Sequence, residues 1–143
     1  MITRAIENAF RHATKKGWRK TYWAFDIHGT LIRPNHKVNE IATEFYPHVV
    51  EVMQVISKRK DIVRILYTCS YPHEIVQYLE YFKKHDIHFD YVNENPDVVD
   101  GGYGYYKDKF YFNVLFEDKA GFNGDTDWLE VKKLLIDLKM DIS

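Results

Sequence analysis

Asp26 and His28 stand two residues apart, where the apolar run Tyr22-Trp23-Ala24-Phe25 stops. A carboxylate at the tip of a buried strand is costly unless something uses its charge. The turn Gly29-Thr30 follows at once, and the histidine does nothing for that turn. Other groups match them further along. Thr68 ends the run IVRILY, and Glu117-Asp118 end the run FNVLF, with Lys109 eight residues before Glu117. Carboxylates gathered in one place repel each other unless a proton or cation comes between them. Magnesium suits such a set, because it takes carboxylate and carbonyl oxygens and keeps positions for water and a substrate phosphate. In that setting Thr68 would donate a hydrogen bond to a phosphate oxygen and Lys109 would neutralise developing charge. Asp26 would attack phosphorus and give an aspartyl-phosphate.

These groups meet only if the chain brings the strand ends together. Ile2, Ile6, Ala9, Phe10 and Ala13 recur at helical spacing before Gly17, which predicts an amphipathic helix over 2–15. Residues 21–25 predict a strand. A helix with Pro47 in its first turn and Val49, Val52, Met53 and Ile56 inward comes next. Residues 62–67 predict a second strand, followed by a helix from Pro72 with Ile75, Leu79 and Phe82 inward. Short strands are expected at 89–92 and 112–116, separated by a long loop. In the last helix Asp127 and Glu130 read as a capping box, and Trp128, Val131, Leu135 and Leu138 as the buried stripe. Strands alternating with helices predict a parallel sheet with right-handed crossovers, here of order 3-2-1-4 in a three-layer α/β domain. Sites in such sheets form at the carboxyl ends of the strands, which is where the polar groups fall.

The set Asp26-Ile27-His28-Gly29-Thr30, Thr68, Lys109 and Glu117-Asp118 resembles the four motifs of the haloacid dehalogenase-like (HAD) superfamily. It is most similar to the small, minimally capped members, and the resemblance runs over residues 20 to 138. It implies a Rossmann-like core with a minimal cap. It also implies a magnesium-dependent phosphatase, a phosphohydrolase or phosphotransferase acting through an aspartyl-phosphate. Asp26 would be nucleophile and metal ligand, the His28 backbone carbonyl a second ligand, and Asp118 a direct metal contact supported by Glu117. Thr68, with Gly29 and Thr30 nearby, would bind substrate phosphate, and Lys109 would bridge nucleophile and phosphate. Two positions depart from the pattern. His28 stands where phosphatases of the superfamily carry a second aspartate, so it is read as the acid/base group. Glu117 stands where aspartate is commoner, and a water can absorb its extra methylene.

Composition sets outer limits. A chain of 143 residues, 45% hydrophobic and 29% charged, is ordinary for one globular domain, so residues 1–143 are read as a single unit. The single cysteine, Cys69, suits a reducing, cytoplasmic setting. No apolar stretch approaches membrane-spanning length, and neither a signal peptide at the start nor a lipidation signal in the closing KMDIS is expected. The first 25 residues hold Arg4, Arg11, Lys15, Lys16, Arg19 and Lys20 against Glu7 alone, although the whole chain is −1. Such a basic N-terminal helix, over 1–17, either attracts an anionic partner or is a solvated face. In the loop 93–108, Gly101, Gly102 and Gly104 interleave with Tyr103, Tyr105 and Tyr106. This reads as a mobile cover for substrate or as a surface loop packed on the body.

Each site residue has a plainer reading: Asp26 capping a turn, Thr68 capping the Pro72 helix, Lys109 solvated. Their co-occurrence favours a site. The other histidines show no metal spacing and Cys69 has no zinc partner. The expected partner is a phosphorylated small molecule or nucleotide, with a nucleic-acid end as the larger variant; no membrane or protein partner is expected. A phosphoreceiver-like domain would carry its acidic pair after the first strand, and here the pair follows the fourth. A catalytically weak or inactive HAD-like module binding phosphate or nucleic acid is the alternative, because of His28.

Overall fold

The computed structural model describes residues 1–99 and 104–140. Gly101, Gly102 and Tyr103 of the glycine-tyrosine loop, and the last three residues, lie outside the described residues.

Strand β1 (Thr21–Phe25) is buried along most of its length because both faces of a parallel sheet are covered. It pairs in parallel with β2 (Ile62–Leu66) on one side and β4 (Val114–Phe116) on the other. Strand β3 (Tyr91–Val92) pairs with β2, giving the expected all-parallel order β3-β2-β1-β4. Helices α1 (Ile2–Lys16), α2 (Val49–Lys58), α3 (Pro72–Lys84) and α4 (Asp127–Asp137) flank this sheet in a Rossmann-like α/β arrangement. The α1 helix ends as its sequence predicts, with Gly17 at φ 72 and its amide returned to the Ala13 and Thr14 carbonyls. No helix among the described residues is long and apolar enough to cross a membrane.

The core beneath the site is aromatic. Phe25 stacks on Phe116 at 4.5 Å, and Phe116 stacks on Trp128 of α4 at 5.4 Å with planes 2° apart. These large buried rings fix the spacing of β1, β4 and α4, so the residues leaving β1 and β4 start from a rigid platform.

Several local expectations change. Pro47 lies outside α2; His48, at φ 70, is the residue that enters the helix. Leu138 is 42% exposed, and Met140 is buried instead. Asp127 is the first residue of α4 rather than its cap, and its carboxylate accepts the Asn123 amide at 2.7 Å. On α3 the fully buried residues are Tyr78 and Phe82, with Ile75 and Leu79 only half-buried. Strands β3 and β4 are shorter than the apolar runs suggest, because pairing with the neighbouring strand begins only at Tyr91 and Val114, after each apolar run has started.

Candidate functional site

The register Leu66↔Phe25↔Phe116 brings three strand ends level. Two bonds carry the alignment one residue further: the Asp26 amide donates to the Phe116 carbonyl at 2.9 Å, and the Tyr67 amide to the Phe25 carbonyl at 2.8 Å. Asp26, Tyr67-Thr68 and Glu117-Asp118 therefore leave the sheet side by side at its carboxyl edge.

The turn after Asp26 is wound around one acceptor. The Ile27 carbonyl receives the amides of Thr30, Leu31 and Ile32 at 3.2, 2.9 and 3.0 Å. Gly29 is needed there on two counts. Its φ of 81 is strained for other residues, and a Cβ would fall 2.5 Å from Asp118 Oδ2. Trp128 Nε1 donates to the Thr30 carbonyl at 2.8 Å and fastens the turn to α4. The Thr30 side chain is fully buried with its hydroxyl unpartnered, so it stands beneath the turn rather than in the cleft as a substrate contact.

Asp26, His28, Pro34, Tyr67, Thr68, Cys69, Glu117, Asp118 and Lys119 line a cleft of about 550 Å³, a size that suits a small-molecule ligand. Within it, one carboxylate oxygen from each of Asp26, Glu117 and Asp118 lies within 4.8 Å of the other two. Burial, followed by a proton shared with the Asp118 carboxyl and by the charges of Asp118 and Glu117, raises the Asp26 pKa from 3.8 to about 7. A cluster that must hold a proton near neutrality is one a cation would relieve. The donors are all hard oxygens, and Gly29 lets Asp118 approach, so Asp26 and Asp118, with Glu117 beside them, could hold a hard divalent cation such as magnesium. Glu117 is partly committed elsewhere, since its Oε2 accepts the Ala120 amide at 2.7 Å and caps the short 3-10 turn Asp118–Ala120.

Thr68 is held at two points by Asn93. Its amide donates to Asn93 Oδ1 at 2.9 Å, and its carbonyl accepts from Asn93 Nδ2 at 2.8 Å. Its hydroxyl accepts the Ser70 amide at 3.1 Å and shares a 2.9 Å bond with the Ser70 hydroxyl. It does not cap α3; Tyr71 does, its amide donating to Glu74 Oε1 at 3.0 Å. His28 lines the cleft, with Nε2 at 2.7 Å from the Tyr78 hydroxyl, and burial lowers its pKa against the opposing pull of Glu74. Lys109 is exposed and is not among the cleft-lining residues, although the ring of Phe110 beside it packs on Tyr67 at 5.9 Å. Lys119 is the cation that lines the cleft. Its signal in the sequence was adjacency to the acidic pair. Tyr78 gave no signal beyond helical spacing.

The segment 33–46 forms a short flap. Arg33 donates its amide to the Glu44 carbonyl at 2.9 Å, Tyr46 to Leu31 at 3.1 Å, and Pro34 reaches the cleft wall. Two tyrosines of α3 hold the flap down. The Tyr81 hydroxyl donates to the Thr43 carbonyl at 2.6 Å, and the Ala42 amide donates to the Tyr78 hydroxyl at 3.1 Å.

Comparison with known proteins adds the fold and little more. The structure is similar to that of a conserved protein from Bacteroides thetaiotaomicron, with a TM-score of 0.61 and 18% sequence identity. The match covers 85% of this chain and 93% of the other, so the two share an architecture. No family model matches the sequence, and no curated protein sequence does.

Proposed function

We propose that this protein is a magnesium-dependent phosphohydrolase or phosphotransferase of the HAD type, working through a phosphorylated Asp26. The observation that carries the reading is the meeting of Asp26, Glu117 and Asp118 at the carboxyl edge of the sheet, beside Thr68 and His28. A magnesium ion, when bound, would neutralise the carboxylates and the substrate phosphate. With those charges offset, Asp26 would be held in its ionised, nucleophilic form, which its raised pKa otherwise disfavours. Its oxygen forms a bond to phosphorus as the bond from phosphorus to the leaving oxygen breaks. The Thr68 hydroxyl donates to a phosphoryl oxygen, and a lysine, Lys109 or the cleft-lining Lys119, balances charge. His28 is the acid/base group: as the imidazolium it gives its Nδ1 proton to the leaving oxygen, and the neutral ring this leaves takes a proton at Nδ1 from the water that cleaves the aspartyl-phosphate.

The cleft suits a phosphorylated small molecule or nucleotide, and its short flap also admits a nucleic-acid end. A cytoplasmic setting fits the exposed free Cys69. One observation favours the second reading, a weak or inactive phosphate-binding module: His28 replaces a carboxylate and is already bonded to Tyr78. Turnover of a panel of phosphorylated metabolites, nucleotides and nucleic-acid ends, with and without magnesium, separates the two. An enzyme releases phosphate only with the metal and loses more than about 10³-fold in kcat on Asp26→Asn. Absence of turnover across the panel selects the binding module.

A further inference from the structure

The geometry points to Tyr78 as the positioning residue of His28: its buried hydroxyl fixes the ring and sets which nitrogen carries the proton. The catalytic meaning of this rests on the phosphoryl-transfer reading above; the hydrogen-bond assignment does not. Tyr78 is 1% exposed, and its oxygen sits between two partners, the Ala42 amide at 3.1 Å and His28 Nε2 at 2.7 Å. A tyrosine hydroxyl has one proton to give and can accept two. The Ala42 amide can only donate, so it occupies an acceptor position and leaves the hydroxyl proton to be placed. A buried O–H without an acceptor is costly, and His28 Nε2 is the acceptor within reach among the described residues. Tyr78 therefore donates to Nε2. The neutral ring must then carry its proton on Nδ1, the opposite of the form free histidine favours in water.

The consequence lies in the cleft that His28 lines. With Nε2 held by α3, Nδ1 is the ring nitrogen left for a ligand: in the neutral ring without substrate it presents an N–H there, and acid/base transfer at Nδ1 starts from the charged ring. The same hydroxyl anchors the flap through Ala42, so the ring and the flap are set by one atom. The edge-to-face packing of the two rings, centroids 5.4 Å apart and planes at 80°, limits rotation of the imidazole about its bonds.

The test is the tautomer of His28, read from long-range proton–nitrogen correlations in histidine-labelled protein, without substrate. The pH is set about two units above the ordinary histidine value of about 6.5, so that the ring is neutral. Signals are assigned by their loss in His28→Gln. The wild-type ring is expected in the Nδ1–H form. Tyr78→Phe keeps the buried ring and should return His28 toward the Nε2–H form. Tyr81→Phe removes the neighbouring flap bond at Thr43 and should leave the tautomer unchanged. A wild-type ring in the Nε2–H form overturns the proposal whether or not the variants fold. So does a Tyr78→Phe ring that stays in the Nδ1–H form. Turnover is a separate arm: if the protein is an enzyme, Tyr78→Phe lowers kcat about tenfold with KM little changed. Absence of turnover in the wild type counts against phosphoryl transfer and leaves the tautomer result standing.

Discussion

Arg64 and Asp26 are both charged residues drawn into the sheet, and the fold treats them in opposite ways. Arg64 sits in the middle of β2 with 7% exposure. Its Nε donates to the His88 carbonyl at 2.8 Å, and Nη1 donates to the Ile56, Ile62 and Arg59 carbonyls at 3.0, 2.9 and 3.2 Å. Asp90 supplies the opposite charge at 3.2 Å. Burial lowers the Arg64 pKa and Asp90 opposes the shift. Asp26 is surrounded by its own kind, Glu117 and Asp118, and answers by holding a proton. A buried charge that the chain satisfies from within belongs to the fold. A charge left facing like charges, in a cleft, is waiting for something from outside.

The largest effect should come from breaking the satisfied side. Arg64→Leu removes the cation and strands Asp90 and several carbonyls, so unfolding free energy should fall by about 3 kcal/mol. Urea denaturation measures it. A loss below about 1 kcal/mol would mean that the guanidinium is replaceable and the contrast with Asp26 is one of degree.

The opposite sign is expected at Asp26. Its folded pKa is raised, so its contribution to stability is fully present below the ordinary value of 3.8 and is lost as pH rises through about 7. Metal-free Asp26→Asn should therefore be more stable than wild type by on the order of 1–2 kcal/mol near pH ~8, after allowance for partial exposure, with little difference near pH ~3. Thermal melts of both proteins across that range give the curve. A variant less stable than wild type at the higher pH would remove the claim that Asp26 is electrostatically strained.

The sheet edge was legible in the sequence because each strand ran apolar until a polar residue stopped it. Asp26, Thr68 and Glu117-Asp118 meet at one cleft for that reason. Arg64 was not legible. A cation inside IVRILY looks solvent-facing to any local pattern, and its neutralising partners come from α2, from β2 itself and from residues 88–90. Tyr78 was hidden for a related reason: spacing marks which face of α3 is buried but not that a hydroxyl on that face meets His28, fifty positions earlier. The placement of Lys109 and Lys119 depends on how the loop before β4 and the 3-10 turn after it are folded, which neither periodicity nor capping signals encode.

A smaller effect separates the two members of the acidic pair. Asp118 faces Gly29 and Asp26, whereas Glu117 already caps the 3-10 turn. Magnesium titrated into the variants should show Asp118→Asn weakened about tenfold or more and Glu117→Gln only a few-fold. Equal losses would show that both carboxylates ligate alike.

The proposed phosphoryl transfer through Asp26 leaves a covalent group that can be trapped. Incubation with magnesium and a turned-over phosphoryl donor, rapid quenching, and borohydride reduction convert an aspartyl-phosphate to homoserine, which peptide mapping by mass locates in the chain. Homoserine is expected at residue 26 in the wild type and nowhere in Asp26→Asn. Homoserine at another aspartate, or its persistence in Asp26→Asn, would contradict it.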